Sequence, residues 1–288
     1  MNAEPAVVEE DVEYASPGDR PLLARIYRPA GATRALPALV DVHGGAWTYL
    51  DRTADFYFDR ALAASGMVVV ALDFRQGPAD RYPTAVADVV AGIRWTKANA
   101  ARLGARPEGL GLVGGSSGGH LLMLAALRPT APEYETSVVD AGGADARVAY
   151  ALPLWPILDP HARYHYLLAR RNGPAGRDRL FEPERLIAGH EAFFRDDDEM
   201  ARASALRIVA AGEAECLPPI WIAHPELDEN VTLAMTERFV AAYRRAGGAV
   251  ELEVFPNVGH AFANFPGEAA DRCIDRMRAF IARQVDLR

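Results

Sequence analysis

The chain has 288 residues, a formal net charge of −8 and two cysteines. Half of its residues are apolar and 24% are charged. That mixture excludes a disordered chain, a collagen and a coiled coil, each of which needs a composition far from it. With 31 Lys and Arg against 39 Asp and Glu, a phosphate backbone would be repelled, so nucleic acid is not an expected partner.

Cys216 and Cys273 have no metal-like spacing and are too few to staple a secreted scaffold. The opening stretch, Met1 to Glu10, is acidic, with no basic region and no long apolar run, which predicts no signal peptide. The longest apolar runs fall far short of the ~20 residues that a membrane span requires. A cytoplasmic protein with no membrane partner is the expectation.

In chain order, Val7–Tyr14 and Leu22–Tyr27 read as antiparallel strands joined through Ser16-Pro17-Gly18-Asp19. Five mostly apolar runs follow: Ala38–Val42, Met67–Leu72, Leu110–Val113, Val148–Leu152 and Ile220–Ala223. Runs of this kind are strands of a parallel sheet covered on both faces. Helical patterns lie between and after them, over Asp55–Ala64, Pro83–Leu103, Gly118–Leu127, Val231–Ala246 and Glu268–Val285. Strand and helix in alternation imply right-handed crossovers and an α/β architecture. The long stretch between Leu152 and Ile220 shows no strand, but helical spacing in Ala162–Arg171, Pro183–Phe194 and Glu199–Ala211. It reads as a helical cap over about 155–217, inserted after the sixth strand of a single domain spanning residues 1–288.

The chemistry concentrates in Leu110-Gly-Leu-Val-Gly-Gly-Ser-Ser-Gly-Gly-His120. A strand runs into a glycine-rich turn bearing Ser116, and a helix follows at once, which is the G-x-S-x-G nucleophile elbow with Gly114 and Gly118. A serine on so tight a turn is strained, and side chains two residues to either side would collide. Gly115-Ser116-Ser117-Gly118-Gly119 also fits the pattern, with Ser117 as the alternative nucleophile. Gly109–Gly114 spells G-x-G-x-x-G, but the dinucleotide motif must follow a strand, and here the strand lies inside it.

His260 follows an alternating strand and a Pro-Asn-Val-Gly turn, where open α/β sheets collect active-site groups. Asp228 lies shortly beyond another strand; Glu226 is its rival for the acid, and a helix N-cap is its plainer reading. Ser116, Asp228 and His260 then stand in the Ser…Asp…His order of α/β-hydrolases. His43-Gly-Gly-Ala-Trp47 follows the Ala38–Val42 strand, and the amides of Gly44, Gly45 and Ser117 are placed to form an oxyanion hole.

Four blocks carry a resemblance to a known family: HGGAW at 43–47, ALDFRQGPADRYPTAVAD at 71–88, GGSSGGH at 114–120, and HPELDENV with VGHAF around Asp228 and His260. The chain resembles the α/β-hydrolase superfamily, nearest the bacterial hormone-sensitive-lipase-like carboxylesterases and their arylformamidase relatives. The resemblance implies a mostly parallel eight-stranded sheet flanked by helices, and a scaffold role for Asp73, Arg75 and Asp88. Ala46 stands where many relatives have a third glycine, Gly115 and Ser117 replace Asp and Ala, and Pro225 replaces the usual glycine before the acid. Strands starting near residue 7 leave the pocket roof to the helical insertion.

The function expected is a serine carboxylic-ester hydrolase acting on small to medium acyl esters through an acyl-enzyme, with no cofactor. An arylformamidase or an acyltransferase on the same triad is the alternative, and a non-catalytic ligand receptor on this fold is the rival from another class. Trp47, Trp155, Tyr164 and Tyr166 are expected in the pocket wall. His161 and His165 stand at i and i+4 but lack the glutamate of HExxH, so aromatic packing, and no metal, is expected of them; His120 and His190 are expected to cap or pack. In relatives the terminal helix and eighth strand supply dimer surfaces, and a homodimer is the expectation carried over.

Overall fold

The computed structural model describes residues 6–18, 20–136, 138–139, 141–173 and 176–285; Asp19, at the end of the first predicted turn, lies outside them. The strands are β1 (Val7–Ala15), β2 (Leu22–Pro29), β3 (Leu36–Val42), β4 (Val68–Leu72), β5 (Ala105–Gly115), β6 (Tyr150–Leu154), β7 (Ile220–Pro225) and β8 (Val250–Phe255). They form one eight-stranded sheet in the order β1-β2-β4-β3-β5-β6-β7-β8. The β1–β2 and β2–β4 pairs are antiparallel and the remaining pairs parallel.

Strands β3, β4, β6 and β7 are buried along their whole length because helices cover both faces of the sheet. Val40, Val42, Val68, Val70 and Leu72 pack into one layer, while Leu39, Val69, Ala71 and Val113 point into the other. This alternation is the pleat of each strand carried into two cores.

The helices are α1 (Phe56–Ala64), α2 (Thr84–Ala98), α3 (Ala100–Leu103), α4 (Ser117–Leu127), α5 (Pro160–Arg170), α6 (Pro183–Phe193), α7 (Asp197–Arg202), α8 (Ala205–Ala210), α9 (Leu233–Arg245) and α10 (Glu268–Gln284). Every residue of α4 is buried, as expected of a helix apolar all round. Helix α10 instead buries one stripe, Cys273, Ile274, Met277, Phe280 and Ile281. Among the described residues, no helix is long and apolar enough to cross a membrane.

Several boundaries differ from those predicted. The helix expected over 83–103 breaks at Asn99 into α2 and α3. The one expected over 199–211 divides into α7 and α8, because Ser204 accepts the Arg207 N–H on its hydroxyl and starts a new helix. Strand β5 begins at Ala105, where the chain already pairs with Leu36 and Pro37 of β3. Strand β6 begins at Tyr150 rather than Val148.

A cluster of buried carboxyls interrupts the apolar packing around β3. Asp41 of β3 and Asp59 of α1 are buried, at 1% and 0% exposure, and neither carboxyl meets a hydrogen-bonding side chain among the described residues. Asp55 lies beside them and accepts from Asn264. Burial and mutual repulsion push Asp41 and Asp59 well above the usual carboxylate range, and burial takes Asp55 up to about 7. A carboxyl whose native pKa is raised stays protonated in the folded chain while the unfolded chain ionises. It therefore costs stability as pH climbs from about 4 towards 7 and beyond. We expect Asp59→Asn to match the natural protein in thermal melting at pH 4 and to melt about 2–4 °C higher at pH 8, the shift of about 1 kcal/mol in a domain of this size. Equal melting temperatures at both pH values would refute this reading of the cluster.

Candidate active site

Strand β5 ends at Gly115 and α4 begins at Ser117, so Ser116 is the single residue between them. It adopts φ +55° and ψ −120°, a strained conformation for a side-chain-bearing residue. A Cβ at Gly114 would lie 2.3 Å from the Val42 carbonyl oxygen, and one at Gly118 only 1.8 Å from it. Backbone stands in the way at both positions, so glycine two residues to either side of Ser116 is a steric requirement.

Ser116 Oγ lies 2.8 Å from His260 Nε2, and His260 Nδ1 lies 2.8 Å from Asp228 Oδ2. A carboxylate only accepts, so Nδ1 carries the proton and Nε2 is free to accept from the serine hydroxyl. Asp228 is 6% exposed, and its other oxygen, Oδ1, accepts from the main-chain N–H of Asn230 (2.8 Å) and Val231 (2.9 Å). The rival residues are engaged elsewhere. Ser117 is buried and its hydroxyl accepts the Trp47 N–H at 3.2 Å; Glu226 accepts the Asn257 N–H.

The glycines after β3 face this elbow. Gly44 packs against Gly115 and Ser116, and Gly45 sits at φ +101° with the Tyr49 carbonyl where a side chain would project. The amides of Gly44, Gly45 and Ser117 donate to no protein acceptor among the described residues. They are free to receive an anionic oxygen, helped by the positive end of α4.

Residues 39–264 match the family described by its alpha/beta hydrolase fold. The chain belongs to the α/β-hydrolase family. Among characterised relatives, esterase LipQ of Mycobacterium tuberculosis is 28% identical over 89% of this chain and 58% of its own length. The carboxylic ester hydrolase LipN of the same organism is 30% identical over 90% of this chain and 67% of its own. This α/β hydrolase thus spans little more than half the length of LipQ. Among solved structures, the apo form of Thermogutta terrifontis esterase 2 superposes with a TM-score of 0.75 at 26% identity, covering 96% of this chain and 94% of that one. The same esterase has been solved with propionate bound, at 25% identity.

In this α/β hydrolase the paired Ser116 and His260 open into a cavity of about 490 Å³. Its walls come from the loop after β3 (Gly44, Gly45, Tyr49, Leu50), from Trp155 after β6, and from Leu180, Glu182, Arg185 and Leu186 of the segment between α5 and α6 and of α6 itself. Two larger hollows, of about 690 and 930 Å³, contain none of the predicted site residues, so size alone does not mark the site.

Of the four aromatics predicted for the pocket wall, only Trp155 lines it. Trp47 is a core residue instead: fully buried, stacked on Phe193 at 5.3 Å, with its indole N–H donating to His120 Nδ1 at 3.1 Å. Tyr164 and Tyr166 turn away from the cavity and bond to Glu191 and to the Glu229 carbonyl. A polar tip drew each tyrosine to an acceptor at the edge of the helical segment. His120, between Trp47 and the Ala203 carbonyl, is pulled by burial down to about 4 and is neutral. Ala46, in place of a glycine, takes φ +47°, and its methyl fits because residue 189 facing it is glycine.

His161, His165 and Asp197 converge, their ligand atoms within 4.8 Å of one another. The hydrogen bonding there runs against metal binding. Arg207 donates to His161 Nδ1 at 2.9 Å, so the ring proton sits on Nε2, directed at Asp197 3.2 Å away. A metal-bound histidine needs the opposite polarity, with its outer nitrogen donating to an acceptor. The trio is a polar tie between α5 and α7, and it sits beside the aromatic packing expected from the sequence: the His161 and His165 rings lie 4.6 Å apart, and Tyr164 meets His165 edge-on at 5.7 Å.

Asp178 was not foreseen. It accepts on Oδ2 from the His260 N–H (3.1 Å), the Asn230 side-chain amide (3.1 Å) and the Glu229 N–H (3.4 Å). One buried carboxyl from the helical segment thereby clamps the acid loop to the histidine loop. Asp178→Ala leaves these donors without an acceptor, and we expect about 1–3 kcal/mol of lost stability and roughly tenfold or more lost in kcat at nearly unchanged KM. Asp178→Asn, which keeps one accepting oxygen, should recover part of kcat. Unchanged kcat in the alanine variant would show that the loops hold their alignment without the clamp.

Proposed function

We propose that the protein is a serine carboxylic-ester hydrolase acting on small to medium acyl esters. The observation that carries this is the continuous relay Ser116–His260–Asp228, at 2.8 Å and 2.8 Å, opening beside three unpaired amides. Ser116 Oγ attacks the ester carbonyl while His260 Nε2 takes its proton, and the Asp228 carboxylate stabilises the imidazolium. The amides of Gly44, Gly45 and Ser117 receive the oxyanion. His260 then protonates the leaving alcohol as the C–O bond breaks, and an acyl-enzyme remains. Water, deprotonated by His260, attacks the acyl carbon and releases the acid, which restores Ser116.

The relatives named above support this reading, since their names describe ester hydrolysis, and the propionate-bound esterase supports a short acyl group. A cavity of about 490 Å³ suits ligands of that scale. The test compares hydrolysis of p-nitrophenyl acetate, butyrate and decanoate with deformylation of N-formylkynurenine, alongside labelling by a fluorophosphonate probe. Fast short-chain ester turnover with labelling is expected. Dominant deformylation would move the protein to the arylformamidases, and neither turnover nor labelling would favour a receptor.

The same reading takes residues 1–288 as one domain, with the helices between β6 and β7 as a cap whose Leu180, Arg185 and Leu186 roof the cavity. A cytoplasmic location is part of the same reading, supported by the two unpaired cysteines. Homodimerisation through β8 is supported by its place at the sheet edge and by Val254, 40% exposed on it. No nucleic acid partner is proposed.

A further inference from the structure

Arg163 of α5 is 1% exposed, yet it has no carboxylate partner among the described residues. Its Nε donates to the Asn230 carbonyl and its Nη1 to His190 Nε2, both at 2.8 Å. Nη2 has no protein acceptor among the described residues and is not sealed off from solvent. Arg163 lines the same cavity as Ser116 and His260, among Leu50, Trp155, Leu186 and Phe265.

A guanidinium in such a setting carries a large desolvation cost that only an anion fully offsets. The neighbours do not supply one. His190 is held well below its usual range by burial and by Arg163 itself, so it is neutral. Asp228, whose field reaches Arg163, is already bonded to His260 and to two main-chain amides. Burial lowers Arg163 only to about 10, which leaves it cationic at neutral pH. Arg185, the other cavity cation, differs: it is part-exposed and already paired with Glu182 and bonded to Tyr49.

We propose that the cavity selects esters bearing a second, free carboxylate, which Arg163 receives on Nη2. This rests on the esterase reading and adds the substrate class to it. A guanidinium edge offers a directional, charge-assisted hydrogen bond to such a group. The carboxylate belongs either to the acyl chain, as in a monoester of a dicarboxylic acid, or to the alcohol.

Two matched pairs separate these sources. For the acyl side, mono-4-nitrophenyl glutarate is compared with its neutral isostere 4-nitrophenyl 5-methylhexanoate. For the alcohol side, 4-carboxyphenyl butyrate is compared with 4-isopropylphenyl butyrate. We expect the anionic member of one pair to lead in kcat/KM by roughly ten- to a hundredfold, the range of a hydrogen bond to a charged group. Arg163→Met should bring that ratio to one or below. If neutral esters turn over and neither anionic ester leads, the proposal fails while the esterase reading stands. A preference that survives Arg163→Met also overturns it, since another cation would then be responsible. Calorimetric titration of Ser116→Ala with the same four esters reads selection without turnover, and so decides the matter even if no ester is hydrolysed or Arg163→Met does not fold. Tenfold tighter binding of an anionic ester supports the proposal; equal binding of both members of each pair refutes it.

Discussion

Ser116→Ala should lower ester hydrolysis by about 10⁴–10⁶ in kcat and abolish fluorophosphonate labelling, leaving only what the oxyanion amides and binding supply. The size of the loss follows from the geometry. Ser116 Oγ is the hydroxyl within reach of His260 Nε2, and the strained elbow points it into the cavity, where water could not replace it in the same orientation. The comparison variant is Ser117→Ala. Its hydroxyl faces the Trp47 amide inside the fold, and the oxyanion donor proposed at this position is main chain, which alanine retains. That substitution should cost about 1–2 kcal/mol of stability, read as a lowered Tm, rather than the catalytic rate. If Ser117→Ala alone silenced the enzyme, the nucleophile would have to be reassigned and the elbow read in the other register.

Asp228→Asn should cost about 10⁴ in kcat with the fold intact. Oδ1 of Asp228 accepts two main-chain N–H groups, from Asn230 and Val231. An asparagine must keep its carbonyl oxygen there, because its amide nitrogen would meet two donors head-on. The amide nitrogen is then forced towards His260 Nδ1, which has to accept. The proton moves to Nε2, and the imidazole can no longer take one from Ser116. A thermal melt close to that of the natural protein together with the rate loss would establish this tautomer effect. A loss of less than tenfold would mean that His260 is oriented by other groups, with the Asp178 contact to its main chain the first to test.

Much of this site was readable along the chain because its signals are local. The elbow's pattern is written in five consecutive residues, Gly114 to Gly118, although the space those two glycines leave is filled by the Val42 carbonyl from distant β3. The alternation of apolar runs and helical patterns gave away the parallel sheet, and parallel strands place the ends of β3, β5, β7 and β8 on one edge. Helix breaks were less legible, since Ser204 interrupts a helical pattern through one side-chain hydrogen bond that a periodicity count does not see.

The pocket wall was the weakest reading. Trp47 and Trp155 are equally apolar, equally large and both at positive φ next to the elbow, yet one lies against Phe193 in the core and the other against His260. Asp178 and Arg163 carried no local mark at all. Asp178 acts across 51 to 82 residues of chain, and Arg163 looks like any helical arginine until its partners are counted.

By itself, then, the sequence determined the fold class and exposed a glycine-flanked serine followed by an acid and a histidine, because glycine patterns and hydrophobic periodicity are written in residues close in the chain. Tertiary structure alone decided which serine meets the histidine, which aromatic walls the cavity and where a cation is left without its anion, because those depend on distances between segments that the helices from α5 to α8 bring together across the sheet edge.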